Sequence, residues 1–349
     1  MPGGTRRSTI KQIARQVGVS VTTVSRALND KPDIHPATKA RILAVAAQLG
    51  YTPNPMARSL VSQRTFTLGL AVRTISDMWV AQIVPAIEEL ARANGYEVFL
   101  STHYADPERE FHVLEAFHQR YVEGILVVSS TLGDAYPTLQ EKWGIPIILI
   151  SPLIATSHRY VVRTDDVGGA QAATAYLIQL GHRRIGHIGV PTWTLPGRER
   201  LDGYRQALEA HGLTYDERRV VLGDADVTGG LEGARQILSL PDPPTALFCF
   251  NDLTAVGVLR AAREQGLRVP QDLAVVGFDD VPFACYVDPP LSTIRQDMRA
   301  LGYQATRMVL DWIAGREPEA PLELQTHLIV RESTAPPGGE SEAEGRRAL

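Results

Sequence analysis

Residues 9–60 read TIKQIARQVGVSVTTVSRALNDKPDIHPATKARILAVAAQLGYTPNPMARSL, and their apolar spacing decides the fold. Thr9 stands at a helix start, ahead of Ile10, Ile13, Ala14 and Val17, whose spacing puts them on one helical face. Gly18 and Val19 make a turn, and Ser20 caps a second helix whose Val24, Ala27 and Leu28 point inward. A third helix opens with Pro36 in its first turn and stops at Gly50, with Ile42, Val45, Ala46 and Leu49 on its apolar face. Three short helices with no strand pattern, two of them joined by a tight turn, form a helix-turn-helix unit with its supporting helix.

Charge is distributed in the same sense. The 349 residues carry a net −4, yet residues 1–65 hold ten Lys/Arg against two Asp/Glu, leaving −12 on the rest. A compact +8 segment is the electrostatic footprint of a phosphate-backbone binder. The beginning of the chain, MPGGTRRSTIKQIARQ, has charge but no apolar core of a signal peptide, and no apolar run reaches the ~18 residues that span a bilayer. The expected location is the cytoplasm. Cys249 and Cys285 stand in apolar surroundings and are expected to be buried thiols in a reducing compartment.

From Phe66 onward, apolar runs of five to seven residues alternate with helical stretches. FTLGLAV (66–72), YEVFLS (96–101), GILVVS (124–129), IPIILIS (145–151), RIGHIGV (184–190), TALFCF (245–250) and LAVVGFD (273–279) are predicted strands. Helices fit between them at 80–93, 107–119, 167–180, 198–211 and 251–265. Such βαβ alternation implies parallel, doubly wound sheet, and the number of units calls for two subdomains. Residues 335–349 are polar and rich in Gly and Pro, and are expected to be disordered.

Residues 9–60 closely resemble the DNA-binding headpiece and hinge of the lactose-repressor (LacI/GalR) family. The likeness continues, in family order, through GHRRIGHIG (181–189), RLDGYRQAL (200–208), FNDLTAVGVLRA (250–261), VVGFDD (275–280), DPPLSTIRQ (288–296) and RESTAPP (331–337). The resemblance implies a headpiece over 1–52, a hinge helix and linker over 53–65, and an effector domain over 66–334 like a periplasmic sugar-binding protein. Its first subdomain would hold about 66–162 and 293–325, its second about 163–292 and 326–334. The implied partners are double-stranded operator DNA of pseudo-palindromic sequence, a second copy of the chain, and a small sugar-type effector, with no membrane. The hinge, only about two turns long, is marginal as an isolated helix.

Matching residues to the family places Val21, Thr22 and Arg26 at base edges in the major groove. Arginine there offers two hydrogen bonds to guanine, and Val21 and the Thr22 methyl suit thymine methyls. Thr23, Ser25 and Asn29 are expected to touch phosphates and set register, and Thr9, Ser20 and Arg58 are counted among the DNA-binding residues. Leu60 matches a wedge inserted into the minor groove. For the effector the same matching selects Arg200, Asn251 and Asp279, with Trp79 as a stacking aromatic; Asn251 and Asp279 each follow an apolar strand. Ser151 stands where an acidic ligand contact is usual, Ala225 where an aromatic lies over the sugar, and Arg73 and Asp77 replace smaller polar residues. Arg73 either contacts an acidic or phosphorylated sugar or pairs with Asp77. A purine effector, and a corepressor rather than an inducer, stay open at this point.

Enzyme signatures are weak. No G-x-G-x-x-G follows the first strand, no G-x-S-x-G elbow or P-loop occurs, and the nine histidines form no H-E-x-x-H. No catalytic residue, cofactor or metal is expected. The residues after Arg331 carry no leucine heptads, so a dimer is expected rather than a tail-joined tetramer.

Overall fold

The computed structural model describes residues 9–51 and 64–337. The chain divides into a small unit ending at Thr65 and a larger one beginning at Phe66. The small unit is three helices, α1 (Ile10–Val17), α2 (Val21–Leu28) and α3 (Pro36–Gln48). Ile13, Ala14, Val17, Val24, Ala27, Ile42 and Ala46 form its core, with Ile10, Leu28, Val45 and Leu49 half-buried around them. Gly18, with φ 76°, ends α1 in the left-handed conformation that glycine adopts without a Cβ penalty. Arg41 of α3 donates from Nη2 to the Val17 carbonyl at 3.0 Å, satisfying one orphan acceptor of the same helix end. Thr9 is the N-cap of α1, and the Gln12 side chain turns back to it and accepts from the Thr9 N–H (2.7 Å) and hydroxyl (3.3 Å).

The large unit contains two six-stranded sheets among the described residues. The first, in the order β11-β5-β4-β3-β1-β2, consists of β1 (Thr67–Val72), β2 (Glu97–Thr102), β3 (Gly124–Val128), β4 (Ile147–Ile150), β5 (Val161–Thr164) and β11 (Leu322–Leu324), all parallel. The second, in the order β12-β10-β9-β8-β6-β7, consists of β6 (Ile185–Gly189), β7 (Val220–Leu222), β8 (Ala246–Cys249), β9 (Ala274–Asp279), β10 (Ser292–Arg295) and β12 (His327–Ile329). Here only β12 runs antiparallel to its neighbour. The strands β1, β3, β4, β6, β8 and β9 are buried along their whole length, as parallel strands covered on both faces must be.

Helices α4 (Met78–Ala93), α5 (Pro107–Gln119), α6 (Ala135–Trp143) and α11 (Met298–Ile313) accompany the first sheet, and α7 (Asp166–Gln179), α8 (Leu195–Ala210), α9 (Val227–Leu238) and α10 (Asp252–Glu264) the second. Two of the latter meet backbone to backbone: a Cβ on Gly257 of α10 would stand 2.2 Å from the Val227 carbonyl oxygen of α9. Any side chain at 257 would push α9 and α10 apart.

The chain crosses between the sheets three times. β5 runs to Thr164 in the first sheet, and β10 pairs with β9 and β12 in the second. The first two crossings therefore fall near 165 and 296, where strand pairing places them. The crossings are tied together: Thr164 Oγ1 donates to Gln296 Oε1 at 2.6 Å, and Asp165 N donates to the Leu324 carbonyl at 2.9 Å. Two expectations are corrected. Cys285 is exposed, at the end of a single 3-10 turn over Pro282–Cys285, while Cys249 is buried. Residues 335–337 are held in place, since Ala335 presents its carbonyl 2.9 Å from His182 Nε2.

Candidate functional site

In the small unit, Ser20 Oγ accepts from Thr23 N (3.0 Å) and meets Thr23 Oγ1 at 2.8 Å, which fixes the start of α2. That first turn carries an anomaly: Val21 is 41 % exposed although Val24, one turn on, is fully buried. Thr22 and Arg26 are exposed beside it, so one face of α2 combines a naked apolar side chain with a guanidinium. Arg26 is joined to Asp33 at 2.8 Å through both Nε and Nη2. The hydrogen bond from Arg26 holds the Asp33 carboxyl below the usual carboxylate range. Asn29 uses its amide on the Ser25 carbonyl (2.8 Å), and Ser25 is half-buried. Arg58 and Leu60 lie outside the described residues.

In the large unit the expected effector residues stand at strand carboxyl ends, where open α/β sheets bind ligands. Arg73 and Asp77 follow β1, Ser151 follows β4, Asn251 follows β8 and Asp279 ends β9. Arg200 reaches them from α8, 5 % exposed. Its Nε donates to Asp166 Oδ1 at 2.6 Å, and its Nη1 donates to the Phe250 carbonyl at 2.5 Å and lies 3.8 Å from Asp279. The guanidinium carbon sits 3.7 Å from the ring centre of Phe278 and 4.4 Å from that of Phe250. Asp279 holds φ 114°, a conformation L residues avoid, and such strain persists where the surroundings impose it. Its carboxyl accepts from Gln296 Nε2 at 2.6 Å. Burial pushes its pKa well up, with Arg200 opposing and the nearby carboxylates of Asp252 and Asp77 adding to the rise. Asp77, from the first sheet, thus senses Asp279, from the second.

The remaining expected residues divide. Arg73 is paired with Asp77, which also accepts from Trp79 N at 3.0 Å to start α4. Trp79 Nε1 and Ser151 Oγ are buried with no hydrogen-bond partner, an arrangement that costs free energy unless a ligand supplies one. Asn251 caps α10: its Oδ1 accepts from the Thr254 N–H and hydroxyl, both at 2.8 Å, and its Nδ2 donates to the Ala225 carbonyl at 3.0 Å. The sheets are also latched together at this end. Leu195 N donates to the Leu153 carbonyl (2.7 Å), Arg163 bridges to Glu199 (2.7 Å), and Val281 packs into the core of the first sheet. Between Ser151, Asp166, Leu195 and Glu199 the space is ≈ 20 Å³, room for a water but not for a sugar ring.

Residues 9–54 match the family described as bacterial regulatory proteins, lacI family, and residues 174–334 match the periplasmic binding protein-like domain. The regulator CelR of Thermobifida fusca is 35% identical over 94% of this chain and 98% of its own. The chain belongs to the lacI family of bacterial regulatory proteins. Among solved structures, a transcriptional regulator CelR-cellobiose complex superposes with TM-score 0.71 at 34% identity, covering 94% of this chain and 100% of its own. The Lac repressor dimer bound to operator and the anti-inducer ONPF superposes with TM-score 0.87 at 27% identity, covering 95% of this chain and 100% of its own.

In this lacI-family chain the residues missed from sequence are those that hold the ligand candidates in place. Asp166 and the two phenylalanines fix Arg200. Asp252 receives the Val281 N–H (2.9 Å) and the Thr293 hydroxyl (2.5 Å), pinning the loop that follows Asp279. Phe250, Asp252 and Phe278 lay inside motifs already singled out, but their pairing is tertiary. Among the described residues, no group of three or more His, Cys, Asp or Glu side chains is placed to hold a metal ion, and no helix is long and apolar enough to cross a membrane.

Proposed function

We propose that this lacI-family regulator binds a pseudo-palindromic operator as a homodimer, represses genes of sugar uptake or catabolism, and is released by a neutral sugar. The observation that carries the DNA reading is the exposed face of α2. Val21, Thr22 and Arg26 gain nothing in the folded unit by their exposure, and together they match a thymine methyl and a guanine edge. The regulator works in the cytoplasm, where operator DNA lies, and acts by binding rather than as an enzyme; its relatives are regulators.

Charge around the cleft selects the effector class. Three arginines, Arg73, Arg163 and Arg200, face four acids, Asp77, Asp166, Glu199 and Asp279, and all three guanidinium groups are already engaged. With Asp279 protonated the sum is neutral, and with it ionised the sum is negative. Neither state favours a phosphate or carboxylate. A sugar fits: its hydroxyls satisfy the buried Trp79 N–H and the Ser151 hydroxyl and donate to the Asp279 carboxyl. The cellobiose bound by a relative is of this class. Admitting a ring requires the two lobes to part at the Leu153–Leu195 and Arg163–Glu199 contacts. That movement is the two-state element through which ligand and operator are linked.

The test is a thermal-shift screen of the purified chain against neutral mono- and disaccharides, their phosphates, sugar acids and purines. A rise in melting temperature with neutral sugars is expected. A response confined to phosphorylated, acidic or purine ligands overturns the effector assignment and leaves the DNA reading standing.

A further inference from the structure

We propose that Asp33, in the loop after α2, is a positioning residue for sequence readout: it holds one edge of the Arg26 guanidinium so that the opposite edge faces a guanine. The inference rests on the reading of Arg26 as a base-contacting residue. Nε and Nη2 of Arg26 converge on a single oxygen, Asp33 Oδ2, at 2.8 Å each. A guanidinium carries five N–H groups in a planar fork, so this engages one side and leaves both N–H of Nη1 and the outer N–H of Nη2. One N–H from Nη1 and the outer N–H of Nη2 lie side by side, the pair whose spacing matches guanine O6 and N7.

The loop that carries Asp33 is itself held in place. Lys31 N donates to the Arg26 carbonyl at 3.0 Å, Asp30 (φ 56°) turns the chain and pairs with Lys39 of α3, and Pro32 fixes φ just before Asp33. An arginine half exposed to water would otherwise sample many rotamers, and ordering it on DNA would cost part of what the base contact supplies.

Asp30 and Asp33 are the two acids among the first 65 residues, against ten bases. An acid near phosphate weakens sequence-independent binding, which is driven by cation–phosphate contacts. Asp33 therefore lowers affinity for any duplex while sharpening the choice among duplexes. A merely structural residue does not act in these opposite senses.

The experiment uses the full chain and the duplex it selects from a randomised pseudo-palindromic library. Binding is measured for that duplex, for every single base-pair variant of it and for an unrelated duplex, with wild type, Asp33→Ala, Asp33→Asn, Arg26→Ala and the Arg26→Ala/Asp33→Ala double variant. The base pair read by Arg26 is the one whose discrimination Arg26→Ala removes. At that pair Asp33→Ala is expected to cut discrimination about tenfold, leave other positions unchanged and tighten binding to the unrelated duplex; Asp33→Asn, which keeps an oxygen acceptor, retains part of it. In the Arg26→Ala background, Asp33→Ala changes no discrimination. Unchanged discrimination in Asp33→Ala, a uniform loss at all positions, or the same loss without Arg26 overturns the proposal. If Arg26→Ala itself removes discrimination nowhere, the reading beneath it fails instead.

Discussion

Arg200 and Asp166 form a buried charge pair at 2.6 Å, with the guanidinium lying against the rings of Phe250 and Phe278. The pair joins the start of α7 to the middle of α8, and through the Phe250 carbonyl to the end of β8. Removing one partner strands the other away from water. Asp166→Ala is therefore expected to lose about 3–5 kcal/mol of unfolding free energy, measured by urea denaturation of the full chain. Asp166→Asn, keeping one acceptor, should lose less. Equal stability of wild type and Asp166→Ala would show that Arg200 is not held as described.

Asp279 gives a prediction of opposite sign. Burial raises its pKa above the value in the unfolded chain, so the folded state keeps its proton longer. Between the two values the native form binds more protons, and stability falls as pH rises. Asp279→Asn, which cannot ionise, should melt above wild type at pH 8, with the difference closing toward pH 4, and should lose its sugar response. A variant that melts below wild type at both pH values contradicts this.

His187 provides the reverse slope. It is fully buried, stacked on Tyr204 and Phe248, with Nδ1 3.0 Å from the Phe248 carbonyl. Burial lowers its pKa to about 4. The unfolded chain takes up the proton first as pH falls from about 6.5, and up to about 3 kcal/mol of stability is lost by the time pH 4 is passed. His187→Leu, whatever its absolute stability, should show a flatter dependence between pH 6.5 and 4. An identical slope would exclude His187 as a source.

Val21 tests the exposed face of α2 without touching charge. Val21→Ala should weaken binding to the selected duplex roughly tenfold, about 1.4 kcal/mol, within the range of a good base contact. The salt dependence should not change, because no phosphate contact is removed. Melting temperature should hold, since the side chain lies outside the core. A change in salt slope would mean that Val21 sets backbone contact rather than base readout.

The parts of the fold legible in the sequence are those whose order is local. Runs such as TLGLAV and GILVV are short, apolar on both faces and bounded by polar stretches, the pattern of covered strands. β7, β11 and β12, three residues each and half exposed, have no such signature; they exist because a neighbouring strand pairs with them. The site divides likewise. Arg200 and Asp279 came from the resemblance, and the Arg73–Asp77 pairing was one of two alternatives left open for Arg73. That Asp166, 34 residues from Arg200, and Gln296, 17 from Asp279, are their partners depends on tertiary packing within the second lobe that no local pattern records.

The most direct test of linked DNA and sugar binding is a titration of the selected duplex with the full chain, with and without the neutral sugar that gives the largest thermal shift, repeated with Arg200→Ala. The sugar is expected to weaken wild-type binding at least fivefold, about 1 kcal/mol of coupling, and to leave the variant unchanged. Sugar binding that leaves duplex affinity untouched in wild type, or coupling that persists in Arg200→Ala, would contradict this.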